Sequence, residues 1–264
     1  MNPPKAGYFP GGLPYSRSGH GPLPLVIFQG LMSANKPPSR LATMMYSFLE
    51  DDFTVYSTLG KPGMPRGYTL GDMGDDYAAM IRDEFGGPVD VLGTSTGGSI
   101  VQHFAADHPD LVRRLVIHSA AHTLNERARV AQMAAGRLAA QGRWREAWAE
   151  VIRLMNRPNA GGRLMVALIS SILALGAPDD PSDFIITIEA EDRHAFRDRL
   201  NEITAPTLVV AGAADPFYTE ALFRETAAGI PGARLSLYPG MGHPAHGKQF
   251  QRDVLAFLRE EEPA

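Results

Sequence analysis

A serine stands between two glycines in Gly93-Thr94-Ser95-Thr96-Gly97. An aspartate, Asp215, follows Gly212-Ala213-Ala214, and a histidine, His243, follows Gly240-Met241-Gly242. A serine hydroxyl is a poor nucleophile at neutral pH and needs a base to take its proton and pass it to a leaving group. An imidazole can do both, and a buried carboxylate orients the ring and stabilises its charged form. Ser95, Asp215 and His243 in that order therefore point to acyl transfer through a covalent intermediate. The oxyanion of such a step needs two preorganised N–H donors. The N–H of Thr96 is one candidate, and that of Leu31, after Gln29-Gly30, is the other.

Each of these residues must be carried to a common place by an element that ends there. Val89 to Leu92 is a short apolar run before the serine, and Ile100, Val101, Phe104 and Ala105 recur at helical spacing after it. That is the strand, sharp turn and helix that a Gly-x-Ser-x-Gly motif requires. Side chains at Gly93, Gly97 and Gly98 would collide where strand and helix pass. Leu23 to Phe28, Phe53 to Ser57, Leu115 to His118, Pro206 to Ala211 and Arg234 to Tyr238 are further strand-like runs. Helical spacing links them over Ser39 to Leu49, Thr69 to Phe85 and Thr219 to Ala228, and a last helix covers Gly247 to Arg259. An alternation of this kind predicts a mostly parallel, doubly wound α/β sheet flanked by helices. Ligands bind such sheets at the carboxyl ends of their strands, where Gln29-Gly30, Ser95 and Ser119 to His122 would meet. The middle of the chain carries helical spacing only, over Asn125 to Gln141, Trp144 to Met155, Arg163 to Leu175 and Glu189 to Leu200. The third is the most apolar; it is either packed inside a helical cap or faces an apolar substrate tunnel, and burial is the simpler reading.

Simpler explanations stand beside each residue. A bare Gly-x-Ser-x-Gly is also a common turn. Asp215 can serve as the N-cap of the helix after Pro216. His246 competes with His243 as the base; the glycine before His243 favours the latter. His118 and His122 follow a sheet strand and are candidates for the pocket wall. Asp179-Asp180-Pro181 has no histidine nearby and reads as a solvated turn.

Composition narrows the function. The 264 residues are 44% hydrophobic and 20% charged, as a globular chain requires. A net charge of −4 gives no reason to expect nucleic acid or an anionic membrane as partner. With no cysteine there is no disulfide, thiolate metal site or cysteine nucleophile. The first residues lack the basic and apolar regions of a secretory leader, and the longest apolar run, Leu164 to Leu175, is short of the about 20 residues that span a bilayer. A cytoplasmic protein is the expectation.

The sequence resembles the α/β-hydrolase superfamily. The resemblance rests on Leu25 to Gly30, Gly93 to Gly98, Leu208 to Asp215 and Gly240 to His243. It implies a core of residues 1–121 and 204–264 with a helical cap, 122–203, inserted after the sixth strand. It also implies a Ser95–His243–Asp215 triad, an oxyanion site at Leu31 and Thr96, and no metal or organic cofactor. Two departures are visible: Gln29 stands where the family often has histidine, and Thr94 replaces a histidine often found before the serine. Gln29, Gly30, Met32, His122, Trp148 and Met165 are the candidate pocket residues. The expected activity is hydrolysis of small to medium apolar carboxylic esters. Alternatives with the same triad are a carbon–carbon bond hydrolase, an amidase or aminopeptidase, or a perhydrolase. A receptor with vestigial chemistry is the alternative of another class.

Overall fold

The computed structural model describes residues 5–156 and 159–260. The first four residues, on which the reading about a leader partly rests, lie outside them. The chain opens with an antiparallel hairpin of β1 (Lys5–Tyr8) and β2 (Pro14–Gly19), then β3 (Leu23–Phe28). A one-turn helix, α1 (Arg40–Thr43), continues as a 3-10 turn over Met44–Leu49. Then come β4 (Phe53–Thr58), α2 (Leu70–Phe85), β5 (Val89–Thr94), α3 (Thr96–Asp107) and β6 (Val112–His118). Four helices follow: α4 (Glu126–Ala139), α5 (Trp144–Met155), α6 (Ala160–Ala174) and α7 (Ser182–Asp192). The α/β pattern resumes with β7 (Thr207–Gly212), α8 (Glu220–Gly229), β8 (Arg234–Tyr238) and α9 (Lys248–Leu258).

The strands form one eight-stranded sheet in the order β1-β2-β4-β3-β5-β6-β7-β8. β1, β2 and β4 pair antiparallel, and every pair from β4 through β8 is parallel. Successive side chains of a strand face opposite sides, and both sides are covered here. Leu25, Ile27, Leu92 and Val210 pack with Tyr46, Leu49, Phe250 and Val254 on one side. Val26, Phe28, Val91 and Val209 pack with Tyr77, Phe104 and Phe223 on the other. This is why the strands read as continuous apolar runs. α2 begins where its sequence says it should: Thr69 caps the N–H of Asp72, and Asp72 returns the bond to the Thr69 N–H.

Three helical expectations are corrected. Ser39 to Leu49 is not one α-helix, because Tyr46 and Leu49 are buried at a spacing of three, which the 3-10 turn serves; Leu41 and Met44 face outward. The last inserted helix starts at Ser182 and not near Glu189. The Asp183 carboxylate accepts from the N–H groups of Gly63 and Met64, and the chain turns where His194 Nε2 donates to Ala121 O at 3.1 Å. α6 is not buried: it packs on α5, while Leu164 is 72% exposed and Leu168 and Ile172 point outward with it. Among the described residues no helix is long and apolar enough to cross a membrane.

Candidate active site

Ser95 sits between β5 and α3 with φ 54° and ψ −126°. A non-glycine residue held there is strained, so its surroundings must fix it. The Ser95 N–H donates to His118 O at 3.0 Å, and its carbonyl accepts from Gly98 N at 2.7 Å and Ser99 N at 3.2 Å. Close packing explains the glycines. A Cβ on Gly97 would lie 2.0 Å from Phe28 O, and one on Gly93 would lie 2.4 Å from Gly97 O. On Gly30 it would lie 3.1 Å from the Ser95 Cβ, so the turn after β3 passes directly beside the serine.

β7 and β8 deliver the other two groups. Asp215 Oδ2 accepts from His243 Nδ1 at 2.7 Å, and His243 Nε2 is 3.0 Å from Ser95 Oγ. A carboxylate only accepts, so Nδ1 carries the proton and Nε2 offers its lone pair to the serine hydroxyl. The other oxygen, Oδ1, accepts from Phe217 N at 2.8 Å and Tyr218 N at 3.2 Å. Asp215 is thus both a turn cap and the partner of His243, and the two readings of it are compatible. His246 Nδ1 lies against Pro244 O on the surface, away from the serine.

His118 does not line the pocket. It braces the histidine loop: Nε2 donates to Ala245 O at 2.8 Å, and Nδ1 accepts from Tyr46 OH at 2.9 Å. Ser119 Oγ accepts from Ala245 N at 2.8 Å. Only its place at the end of β6 could have signalled this role. Burial pushes the His118 ring down to about 3, and does the same to His194. From the ordinary value of 6.5 down to about 3, the unfolded chain therefore binds protons that the fold refuses. Stability should fall as pH drops through that window, by about 1.4 kcal/mol per unit for each ring. Thermal melts between neutral and mildly acidic pH test this. His118→Gln should flatten the slope, and an unchanged slope would count against it.

A cavity of about 290 Å³ opens over Ser95. Gln29, Gly30, Leu31, Met32, Trp148 and His243 line it, with Gln132, Val151, Ile152 and Met155 from α4 and α5. Among the described residues the N–H groups of Leu31 and Thr96 have no protein acceptor. Two proposed wall residues lie elsewhere. Met165 is on the outer helix α6 and faces outward. His122 turns to α8, where its N–H and Nδ1 meet Thr226 Oγ1 at 3.0 and 3.2 Å. Trp148 Nε1 donates to Ser33 Oγ at 2.9 Å and ties α5 to the turn beside the serine.

One buried acid escaped the sequence reading. Glu191 of α7 is 1% exposed. It accepts hydrogen bonds from Thr96 Oγ1, from Ser99 Oγ at 2.9 Å and from Tyr218 OH at 2.9 Å. Burial pushes its carboxyl up, and the three hydroxyls work against that. It joins the start of α3 to the loop carrying Asp215. Glu191→Ala leaves three buried hydroxyls without their acceptor and is expected to cost about 2–4 kcal/mol in urea unfolding. Glu191→Gln, which keeps one acceptor, should cost less than half of that. Equal losses would mean that one amide oxygen cannot replace the carboxylate as acceptor, since glutamine keeps the volume.

An α/β sheet with a serine at the strand-to-helix turn, a histidine against it and an aspartate behind defines the hydrolase class. Residues 9–256 match the family model described as "Alpha/beta hydrolase family", and the chain belongs to that family. It is 32% identical over 181 residues to a 2-hydroxy-6-oxononadienedioate/2-hydroxy-6-oxononatrienedioate hydrolase of Cupriavidus pinatubonensis, covering 64% of this chain and 62% of that one. It is 27% identical over 166 residues to a pimeloyl-[acyl-carrier protein] methyl ester esterase of Neisseria meningitidis, covering 59% and 60%. The match thus spans about three fifths of each relative's length. An alpha/beta hydrolase enzyme from a Medee basin deep-sea metagenome library shares the fold, with a TM-score of 0.80 at 16% identity over 96% of both chains.

Proposed function

We propose that this hydrolase cleaves carboxylic esters of small to medium size through Ser95, His243 and Asp215. The observation that carries the reading is the pair of contacts at 3.0 Å and 2.7 Å that join Ser95 Oγ, His243 and Asp215. His243 Nε2 takes the hydroxyl proton as Ser95 Oγ attacks the ester carbonyl. The N–H groups of Leu31 and Thr96 hold the oxyanion. His243 then gives the proton to the departing alcohol, leaving an acyl-serine. Water, deprotonated by the same ring, attacks the acyl carbon, and the proton returns to Ser95 as the acid leaves. The inserted helices α4 and α5 close over the acyl or alcohol chain with Trp148, Val151 and Ile152.

Two relatives' names pull in different directions. Those of the dienedioate hydrolases favour carbon–carbon bond hydrolysis as the second reading. Their substrates are by name dicarboxylates, however. No lysine or arginine lines the described cavity, so a second carboxylate held there would be buried without a counter-charge. An ester with an uncharged remainder suits these walls better. The test is labelling with a fluorophosphonate followed by peptide mapping, together with turnover of matched p-nitrophenyl esters, anilides and vinylogous diketones. Label on Ser95 with multiple turnovers of esters is expected. Label on another serine would overturn the triad, and faster diketone cleavage would overturn the ester.

A further inference from the structure

Buried polar atoms in folded proteins nearly always have partners, so exceptions on residues that line a cavity call for an explanation. Three occur among the described residues: Gln29 Nε2, Gln102 Oε1 and Gln132 Oε1. Gln102 is accounted for by its other end, since Nε2 donates to Gly98 O at 2.9 Å and Ala121 O at 3.2 Å and so braces α3. Gln29 and Gln132 differ. Neither side chain makes a hydrogen bond to any described residue, and both line the cavity over Ser95.

Their placement is specific. Gln29 follows β3 directly and precedes the glycine packed against the serine. Gln132 is 5% exposed and sits on the inward face of α4, where Ala128, Ala131 and Ala135 are its buried neighbours. An apolar residue at 132 would cost less in an empty cavity. Much of the cavity wall is apolar, with Leu31, Trp148, Val151, Ile152 and Phe217. A carboxamide offers donors and an acceptor but no charge. Neither a carboxylate nor an ammonium group would find a charged partner there.

We propose that Gln29 and Gln132 form a second recognition site in the reaction cavity for an uncharged hydroxyl or amide group carried by the non-reacting part of the substrate. The proposal rests on the ester reading above and narrows its substrate class. The group accepts from one carboxamide and donates to the other, which a hydroxyl and a secondary amide both do. It pairs with the cavity ends of the carboxamides, donating to Gln29 Oε1 and accepting from Gln132 Nε2, and sets how far the substrate enters before its carbonyl meets Ser95. Esters lacking the group leave both amides buried and unpaired, so they are the poorer substrates.

The test uses the full chain and two sets of esters, methyl esters bearing a hydroxyl at successive acyl carbons and acetate esters of alcohols bearing one at successive carbons. Each is matched to its isostere with methyl in place of hydroxyl, and a second series carries acetamido groups. At one position at least, wild-type kcat/KM should favour the polar member by about tenfold or more. Gln132→Met and Gln29→Met, both close in volume to the original, should each remove most of that preference. The series showing the preference tells hydroxyl from amide. The site is overturned if no polar member beats its isostere at any position, or if the preference survives both replacements. Binding of the matching methyl ketones to Ser95→Ala separates this from the ester reading. Polar ketones that bind about tenfold tighter, with the gain lost on Gln132→Met, support the site even if the esters are not hydrolysed. Ester turnover without discrimination leaves the ester reading standing and removes the site.

Discussion

Ser95→Ala is expected to lower ester turnover by about a hundred-thousandfold to a millionfold while leaving the protein folded. The loss should be large because the proposed mechanism uses the three groups as a unit. Without the hydroxyl there is no acyl-serine, and His243 has no proton to take. Some acceleration over water should persist, since the Leu31 and Thr96 N–H groups and the cavity are untouched. The fold should survive because the serine's structural bonds come from its backbone. Its N–H still reaches His118 O, and its carbonyl still accepts from Gly98 and Ser99. Only the 3.0 Å contact to His243 Nε2 is lost. Steady-state turnover and a thermal melt decide it: retained turnover rejects the assignment, and a collapsed melt would make the rate loss uninformative about chemistry.

Asp215→Asn should cost about ten-thousandfold in kcat, although it changes one atom and no volume. The local hydrogen bonds dictate this. Phe217 and Tyr218 point their N–H groups at Oδ1. An asparagine must turn its carbonyl oxygen toward those two donors, and its NH₂ group then faces His243. An NH₂ group donates, so Nδ1 must give up its proton and Nε2 must carry one. That is the wrong tautomer for accepting a proton from Ser95. Asp215→Ala imposes no tautomer, so the isosteric asparagine should be no more active than alanine. A markedly more active asparagine variant would mean that the carboxylate is not setting the ring. Its stability should change less than its rate, because the two turn bonds at Oδ1 are kept.

Much of the site is readable from residue order because its parts are local. Gly93, Ser95 and Gly97 announce a turn by their spacing, the apolar runs before Ser95 and Asp215 are strands buried on both faces, and the run before His243 is the half-buried edge strand β8. Thr69 and Asp72 mark the start of α2 in the same way. The ends of a parallel sheet share one edge, so three residues far apart in the chain could be expected to meet. Leu41 and Met44 mislead because apolar spacing does not say whether a turn winds at three or at nearly four residues.

The remainder depended on partners far away in the chain. Where α7 begins is decided by Asp183 reaching the backbone of Gly63 and Met64, and where it ends by His194 turning to Ala121. Glu191 looked like one more acid on a helix; it gathers Thr96, Ser99 and Tyr218 only when α7 is laid behind the serine turn. His118 became a brace, and Gln29 and Gln132 came to line one cavity, by the same kind of assembly. By itself the order of residues determined the six strands of the α/β pattern and the turn at Ser95, and it marked the Ser, His and Asp as candidates, since these follow from backbone sterics and hydrogen bonding within a few positions. Tertiary structure alone decided which surfaces are covered, which polar groups go unpaired and what surrounds the serine, because burial and pairing belong to the contact between segments and not to either segment alone.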